Sequence, residues 1–272
     1  MQDRITVNIA GGVADVRLVR ADKMNALDDR MFSALIETGE RLKAEAGVRA
    51  VVLSGEGRAF CAGLDTGNFG AMASGARAPG QSSAGGSLLT DRTPGGANRA
   101  QHVVMVWREI PVPVIAAVHG VAFGGGFQVA LGADMRFVTP DARLSVMEIK
   151  WGLVPDMAGM VLMQGLVRDD IARDLIYSGR QFTGEEALGL GLATRVCADP
   201  RAEALAYAAE IAAKNPHAIQ AAKRLIAVAN RGDQHATLLA ESHEQTALIG
   251  TPNQVEAVVA NMQKRPPVFT DV

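Results

Sequence analysis

The sequence predicts an α/β fold with a helical C-terminal region, and two observations carry this prediction. In the first half of the 272-residue chain, short apolar segments typical of buried strands alternate with segments whose apolar residues recur at helical spacing. Beyond Pro155 the pattern is almost wholly helical. Strands that alternate with helices indicate βαβ-type units, whose crossovers share one hand. We therefore expect a wound α/β core, with the later helices packed on it, on other subunits, or on both.

The chain begins with a predicted β-hairpin. Apolar and polar residues alternate from Ile5 to Ile9 and, after two glycines, from Val13 to Val19. Asp28 is placed to cap a helix whose apolar face extends to Gly47. The apolar run 50–53 then predicts a buried strand, which starts the alternation of strands and helices.

The segment from Asn68 to Asn98 interrupts this order. It is rich in Gly, Ala and Ser and has almost no periodicity, which is typical of functional or disordered segments, so we expect a mobile flap. The alternation then resumes, with a helix over 100–109, a strand over 112–118, a helix that starts in Gly124–Gly126 and a strand over 135–138.

Helical spacing dominates the C-terminal part of the chain. The predicted helices span residues 157–166, 170–177, 183–188, 201–214, 218–229 and 236–262, the last with a break at Pro252. Each has an apolar stripe that needs a partner surface.

Composition argues against several classes of function. With 27 basic and 29 acidic residues, the chain has no basic block that could neutralise a run of phosphates, so no nucleic-acid partner is expected. Cys61 and Cys197 are too few for a disulfide framework and too far apart for a paired metal-ligand motif, which predicts no metal site and fits a reducing cytoplasm. Neither a leader peptide nor a membrane span is predicted, because prolines and glycines interrupt the uncharged stretch 110–133.

Common catalytic signatures are missing, and two glycine-containing segments remain. The sequence has no G-x-S-x-G elbow, no P-loop and no complete G-x-G-x-x-G. Segments 57–65 and 119–128 each follow a predicted strand. Small residues let a backbone approach a ligand, and a helix that starts in three glycines presents unpaired N–H groups to an anion. For one such loop alone, tight turns and close packing explain the glycines equally well.

Together, these segments belong to a longer pattern that resembles the enoyl-CoA hydratase/isomerase (crotonase) family. Its blocks are KMNAL at 23–27, GRAFCAGLD at 57–65, GVAFGGGFQVALGADMRF at 120–137, MEIKWGLVPDMAG at 147–159 and FTGEEALGLGLATRV at 182–196. The resemblance covers nearly the full chain. It implies a spiral of ββα turns over residues 1–198, a helical trimerisation region over 199–272, and a homotrimer or dimer of trimers. It also implies an enzyme that needs no cofactor besides the coenzyme A of its acyl-CoA substrate.

The resemblance further implies an oxyanion hole and a coenzyme A site. The oxyanion hole would consist of the backbone N–H groups of Leu64 and Gly125, which would stabilise an enolate on the thioester oxygen. Removing one such donor typically raises the barrier by roughly 3–4 kcal/mol. The residues implied to hold coenzyme A are Lys23, Ala26, Leu27, Ala62, Gly63, Asp65 and Lys264. Lys264, or Arg265 beside it, would reach the phosphates in its own or a neighbouring subunit.

Three positions bear on the reaction. Hydratases of the family usually carry two glutamates, but here only the second is matched, by Glu148. The first falls on Gln128, which cannot exchange a proton at ordinary pH. A glutamate at the second position alone resembles the double-bond isomerases. Asp156, where many hydratases have glycine, matches an acid of the dienoyl-CoA isomerase branch, although a helix N-cap is an alternative role.

The preferred hypothesis is double-bond isomerisation of an enoyl- or dienoyl-CoA. Glu148 would be the base, with its pKa raised by burial, and Asp156 a second acid or base. One alternative is a 2-enoyl-CoA hydratase of fatty-acid degradation, in which Gln128 and Glu148 or Asp156 orient the water. A different class of function is a CoA-thioester-binding scaffold without catalysis.

Overall fold

The computed structural model describes residues 3–65, 67, 91–230 and 232–271. The predicted flap therefore lies outside the described residues, apart from its last part, 91–98. Within the described residues the strands are β1 (Ile5–Ala10), β2 (Val13–Leu18), β3 (Ala50–Gly55), β4 (Val114–Val118), β5 (Val121–Phe123), β6 (Met135–Val138), β7 (Arg143–Ser145), β8 (Phe182–Thr183) and β9 (Arg195–Val196).

Helices lie between these strands along the chain, and further helices follow the last strand. They are α1 (Asp29–Ala44), α2 (Arg99–Glu109), α3 (Gly125–Gly132), α4 (Gly159–Met163), α5 (Asp169–Ser178), α6 (Gly184–Leu190), α7 (Pro200–Ala212), α8 (Pro216–Ala229), α9 (Gln234–Leu248) and α10 (Pro252–Met262). In the part of the chain that the structure describes, no helix is long and apolar enough to cross a membrane.

A six-stranded sheet in the order β1-β2-β3-β4-β6-β9 is the centre of the fold. The predicted hairpin is confirmed, since β1 and β2 pair antiparallel, and the remaining pairs are parallel. Every residue of β3 and β4 is buried, as expected for central parallel strands covered on both faces. Helices α1, α2 and α3 supply apolar residues to the core on one side, while small residues of α7 pack on the other. The predicted α/β class is thus confirmed.

A second sheet of three strands, in the order β5-β7-β8, was missed by the sequence interpretation. Its strands have two or three residues each, too few to show an alternating pattern. This small sheet places the start of α3 beside the segment that follows β7. It therefore positions the site described below.

One predicted helix start needs correction, while a predicted cap and a predicted break are confirmed. Asp28 caps α1 as expected, its carboxylate accepting the Met31 N–H at 2.8 Å. The predicted helix 157–166 is shorter, because Ala158 has a left-handed conformation and the helix begins only at Gly159. The long helix predicted over 236–262 is two helices, α9 and α10, which meet at the expected break before Pro252.

The C-terminal helices leave apolar residues exposed in the single chain. Helix α8 is joined to the core by Lys223, whose ammonium donates to the Val112 carbonyl oxygen at 2.9 Å and to the Asp134 carboxylate at 2.7 Å. Helix α9, by contrast, has no buried residue. The exposed apolar residues of α8, α9 and α10 include Ile226, Leu238, Leu239, Val255, Val258 and Met262.

Candidate active site

The two glycine-containing segments lie side by side. Cys61 and Ala122 form a parallel β-bridge, in which the Cys61 N–H donates to the Val121 carbonyl oxygen and the Phe123 N–H donates to the Cys61 carbonyl oxygen, both at 3.1 Å. A Cβ on Gly126 would lie 2.3 Å from the Cys61 carbonyl oxygen, so glycine is required for this approach. The start of α3 is thereby held against the segment that follows β3.

This arrangement brings together the two predicted oxyanion-hole donors. The Leu27 N–H donates to the Gly63 carbonyl oxygen, and the Leu27 carbonyl oxygen accepts the Asp65 N–H, so the N–H of Leu64 points away from Leu27. Gly125 is the first residue of α3, and its N–H belongs to the first turn, which has no acceptor within the helix. A Cβ on Gly63 would lie 3.8 Å from the Gly125 nitrogen.

Glu148 lies at the edge of this pair of donors. It follows β7, is 9% exposed, and its Oε1 lies 3.3 Å from the position that a Cβ on Gly124 would take. The Oε1 atom accepts a hydrogen bond from Nε2 of Gln128 at 2.6 Å. The Oε2 atom is buried and, among the described residues, has no hydrogen-bond partner.

The environment of Glu148 favours its protonated form. Burial is the main cause that raises the pKa of its carboxyl, and the negative charge of Asp156 acts in the same direction. The N–H groups of Met147 and Glu148 and the amide of Gln128 partly oppose this shift. The result is a carboxylate of increased basicity beside two backbone donors, which is what proton abstraction next to a thioester requires.

Gln128 is held on both sides by the protein. The side chain, on α3, is 1% exposed. Its Oε1 accepts the N–H groups of Met157 and Gly159, both at 2.9 Å. Because backbone N–H groups can only donate, they fix the amide orientation, and Nε2 must face Glu148. Gln128 thus joins α3 to the segment before α4.

Asp156 is the second carboxyl of the site. It lies two residues before Ala158, which occupies the N-cap position of α4, so Asp156 does not cap this helix. Its side chain keeps an exposed surface, yet partial burial raises the pKa of its carboxyl. The next residue, Met157, donates to Gln128, and Gln128 donates to Glu148, so these contacts bring Asp156 near Glu148. The negative charge of Asp156 accordingly raises the pKa of Glu148.

Six of the seven residues assigned to coenzyme A lie together. Segment 23–27 runs beside segment 62–65, where the Ala62 N–H donates to the Met24 carbonyl oxygen at 2.9 Å and Leu27 forms a parallel bridge with Leu64. Lys23 is exposed at the end of a short 3₁₀ turn. These two segments form one continuous edge next to the oxyanion donors.

Lys264 is separate from this edge. It follows α10, and the tail after it is anchored by an ion pair of 2.7 Å between Asp271 and Arg49. Arg49 precedes β3, whereas segment 57–65 follows the opposite end of that strand. No hydrogen bond or ion pair between described residues joins Lys264 to the other six, so its role stays a prediction.

Two residues that fix this edge were missed in the sequence. Arg20 pairs with Asp65 at 2.6 Å and also donates to the Ala26 carbonyl oxygen at 2.9 Å. The hydrogen bond from the Gly67 N–H is the main cause that lowers the pKa of Asp65, and the hydrogen bond from Arg20 acts in the same direction. Arg20 precedes KMNAL by only three residues, but no local pattern pairs it with a carboxylate 45 positions away.

Asn25 is the second residue that was missed. It is fully buried in a left-handed conformation, and its amide donates to the carbonyl oxygens of Glu56 and Ala59 at 3.0 and 2.9 Å. The thiol of Cys61 donates to the Asn25 carbonyl oxygen at 3.1 Å. Burial raises the pKa of Cys61 to about 12, which keeps the thiol protonated and unreactive.

One group of side chains among the described residues has metal-ligand character, and it lies outside the site. Ligand atoms of Glu40, His102 and Glu109 are within 4.8 Å of one another, on the facing helices α1 and α2. Lys43 makes ion pairs with both glutamates, and Nε2 of His102 lies 2.9 Å from Oε1 of Glu40. The group is explained by this ion-pair network.

Known proteins similar to this chain belong to the same family that the sequence blocks resemble. A family model described as "Enoyl-CoA hydratase/isomerase" matches residues 8–272. "Probable enoyl-CoA hydratase echA6" of Mycobacterium tuberculosis (strain CDC 1551 / Oshkosh) is 32% identical over 269 residues, which cover 97% of this chain and 98% of the relative. The mitochondrial Delta(3,5)-Delta(2,4)-dienoyl-CoA isomerase of Mus musculus is 30% identical over 259 residues, 93% of this chain and 77% of that protein.

Solved structures show the same similarity. The crystal structure of an enoyl-CoA hydratase from Polaromonas sp. JS666 has a TM-score of 0.86 and 27% identity, and the match covers 98% of this chain and 100% of that chain. The expected crotonase-like fold is thus confirmed.

Proposed function

The chain belongs to the enoyl-CoA hydratase/isomerase family, and from this membership and the site geometry we propose that it isomerises the double bond of an enoyl- or dienoyl-CoA. One observation carries the choice of reaction. Glu148 presents a buried oxygen without a hydrogen-bond partner among the described residues, while the position of the family's first glutamate holds Gln128, an amide bound on both sides. The site thus offers a carboxylate of raised pKa next to the donors.

The proposed chemistry begins with removal of a proton beside the thioester carbonyl. Oε2 of Glu148 accepts the proton, and the electron pair of the broken C–H bond moves toward the thioester oxygen. The N–H groups of Leu64 and Gly125 stabilise that oxygen as an enolate. As the electron pair returns from the enolate oxygen, a proton is added at a carbon further along the chain. If Glu148 delivers it, the carboxylate is restored at once; if Asp156 delivers it, Asp156 starts protonated, and the proton on Glu148 then passes to Asp156 through water to reset the site. In both cases the double bond has moved with no net change in atoms.

Hydration of a 2-enoyl-CoA is the second candidate, supported by the hydratase names of the relatives and solved structures. In this site, the second group that could exchange a proton with water is Asp156 rather than Gln128, because an amide does not ionise. A scaffold that binds CoA thioesters without catalysis is the third candidate. These two alternatives are distinguished from isomerisation by the products formed.

The remaining roles are proposals that follow from the family. Segments 23–27 and 62–65 would hold coenzyme A, with no further cofactor, and Lys264 would reach the phosphates from a neighbouring subunit. The exposed apolar residues of α8, α9 and α10 support a homotrimer or a dimer of trimers, since such residues need a covering surface. Two free cysteines fit a cytoplasmic protein.

The decisive experiment is product analysis by NMR in heavy water with matched 2-enoyl-, 3-enoyl- and dienoyl-CoA substrates. We expect the wild-type protein to give shifted double bonds that carry deuterium. Glu148→Gln should lower the rate by about 10²–10⁴-fold, because the general base is lost. Glu185→Gln, at an exposed position on α6, is the matched control and should keep the wild-type rate.

Each alternative has its own result. Rapid formation of 3-hydroxyacyl-CoA without a shifted double bond would replace isomerisation by hydration. Tight binding of the thioesters without any proton exchange would support the scaffold. A Glu148→Gln variant as active as the wild type would show that this carboxylate is not the base.

A further inference from the structure

The hydrogen-bond capacity of Gln128 is almost fully used by the protein. Both acceptor sites of its Oε1 are taken by the N–H groups of Met157 and Gly159, and one Nε2 hydrogen is donated to Glu148. The side chain is 1% exposed. Gln128 therefore has no acceptor left for a water molecule or for a substrate.

The chain is shaped around this arrangement. A Cβ on Gly159 would lie 2.7 Å from Oε1 of Gln128, so any larger residue there would displace the amide. Ala158 between the two N–H groups takes a left-handed conformation that residues other than glycine rarely adopt. The N–H groups of Met157 and Gly159 thereby point to one oxygen, with backbone strain at Ala158 between them.

We infer that Gln128 is a positioning residue, which selects Oε2 of Glu148 as the proton-accepting atom and ties that carboxylate to the segment carrying Asp156. The inference rests on the proposed function, because it assigns Glu148 as the base. With Oε1 held by the amide, the carboxylate cannot turn freely, and Oε2 is the atom left for the substrate. The same side chain fixes residues 157–159, so that both carboxyls keep one relative position through the proton transfers.

Two substitutions separate the two halves of this role. Gln128→Met keeps a long unbranched side chain but loses both hydrogen-bonding groups. Gln128→Glu keeps an oxygen for the N–H groups of Met157 and Gly159 but brings a carboxyl against Oε1 of Glu148. Gln181→Met, at an exposed position, is the matched control. Circular dichroism and gel filtration establish that each variant folds and assembles like the wild type.

The first measurement is kcat and KM for double-bond isomerisation over a range of pH. Misplacement of a reacting group by about 1 Å costs about 100-fold in rate, so Gln128→Met should lower kcat by about this factor and leave KM nearly unchanged. The acidic limb of the pH profile of kcat should move to higher pH in Gln128→Met, because the Gln128 N–H that favours the ionised form of Glu148 is lost. It should move further in Gln128→Glu, where two carboxyls share a proton. Asp156 is the charged group among the described residues that acts on Glu148, and it is unchanged in both variants.

The second measurement does not depend on activity. Hydrogen exchange of the peptide that contains residues 157–159 should become faster in Gln128→Met, where the two amides lose their acceptor, and stay slow in Gln128→Glu. Wild-type exchange and an unmoved acidic limb in Gln128→Met would overturn the inference. If Glu148→Gln is inactive while Gln128→Met is fully active, the proposed function stands and the positioning role is wrong. If Glu148→Gln is fully active, the base assignment fails, and with it the positioning role.

Discussion

The two sides of the candidate active site are built differently. On one side, Leu64 and Gly125 contribute backbone N–H groups, and their positions depend on glycines and on the bridges between segments. On the other side, Glu148, Gln128 and Asp156 contribute side chains, whose identity decides which protons can move. In the proposed function, the backbone donors would serve isomerisation and hydration alike, because both reactions place charge on the thioester oxygen, while the side chains would decide which reaction occurs.

The sharpest test of the backbone side is Gly63→Ala. The added Cβ would lie 2.4 Å from the Phe123 carbonyl oxygen, at a backbone φ of 87°, so the segment must move and the Leu64 N–H with it. Loss of one oxyanion donor typically costs 10²–10³-fold in kcat, and we expect a fall of about that size. Steady-state kinetics on the isomerisation substrate measures it.

Gly189→Ala is the control for this variant. Nothing lies within 4 Å of the Cβ position at Gly189, and no left-handed φ applies there. If Gly63→Ala kept wild-type kcat, the Leu64 N–H would not be part of the oxyanion hole.

A smaller effect is expected on the side-chain side from Asp156→Asn. The amide cannot deliver a proton, so double-bond shift should slow by about 10²-fold, at the lower end for acid–base catalysis. Deuterium exchange next to the thioester should be less affected, because that step belongs to Glu148. NMR in heavy water follows both rates in one sample. Equal loss of exchange and shift would mean that Asp156 acts through Glu148 instead of moving a proton itself.

The smallest expected effect is a shift along the pH axis. Burial raises the pKa of Glu148, and the base is active only when ionised. As the pH is lowered, kcat/KM of the wild type should therefore begin to fall at a pH above the ordinary glutamate pKa of about 4.3. The charge of Asp156 contributes to the raised pKa. In Asp156→Asn, the acidic limb of the pH profile of the remaining kcat/KM should therefore move to lower pH. A limb that does not move would show that the two carboxyls are not coupled.

What the sequence predicts well are features encoded over several neighbouring residues. The hairpin, the capping role of Asp28 and the helix that starts at Gly125 all depend on local alternation, spacing or capping, and each is confirmed. The oxyanion donors Leu64 and Gly125 stay a prediction from the family resemblance, and the structure shows that the segments carrying them lie side by side. Strands of two or three residues carry no such pattern, and the sheet of β5, β7 and β8 was missed.

What the sequence does not predict are polar contacts between distant segments. Gln128 captures the N–H groups of Met157 and Gly159, 29 and 31 residues away, and the helix predicted from 157 therefore starts later. Arg20 and Asp65 likewise pair across 45 positions. Residue type shows that such groups need partners, but only the fold decides which partners they obtain.

The buried Oε2 of Glu148 also affects the stability of the folded chain. An acceptor that leaves water without gaining a donor costs about 1–3 kcal/mol, a substantial share of the roughly 5–15 kcal/mol that separates a folded domain from its unfolded state. Opening the segment around Glu148 to water would recover part of this cost. The contacts of Gln128 oppose that opening. Burial of this proton acceptor thus lowers the free energy of unfolding of the chain.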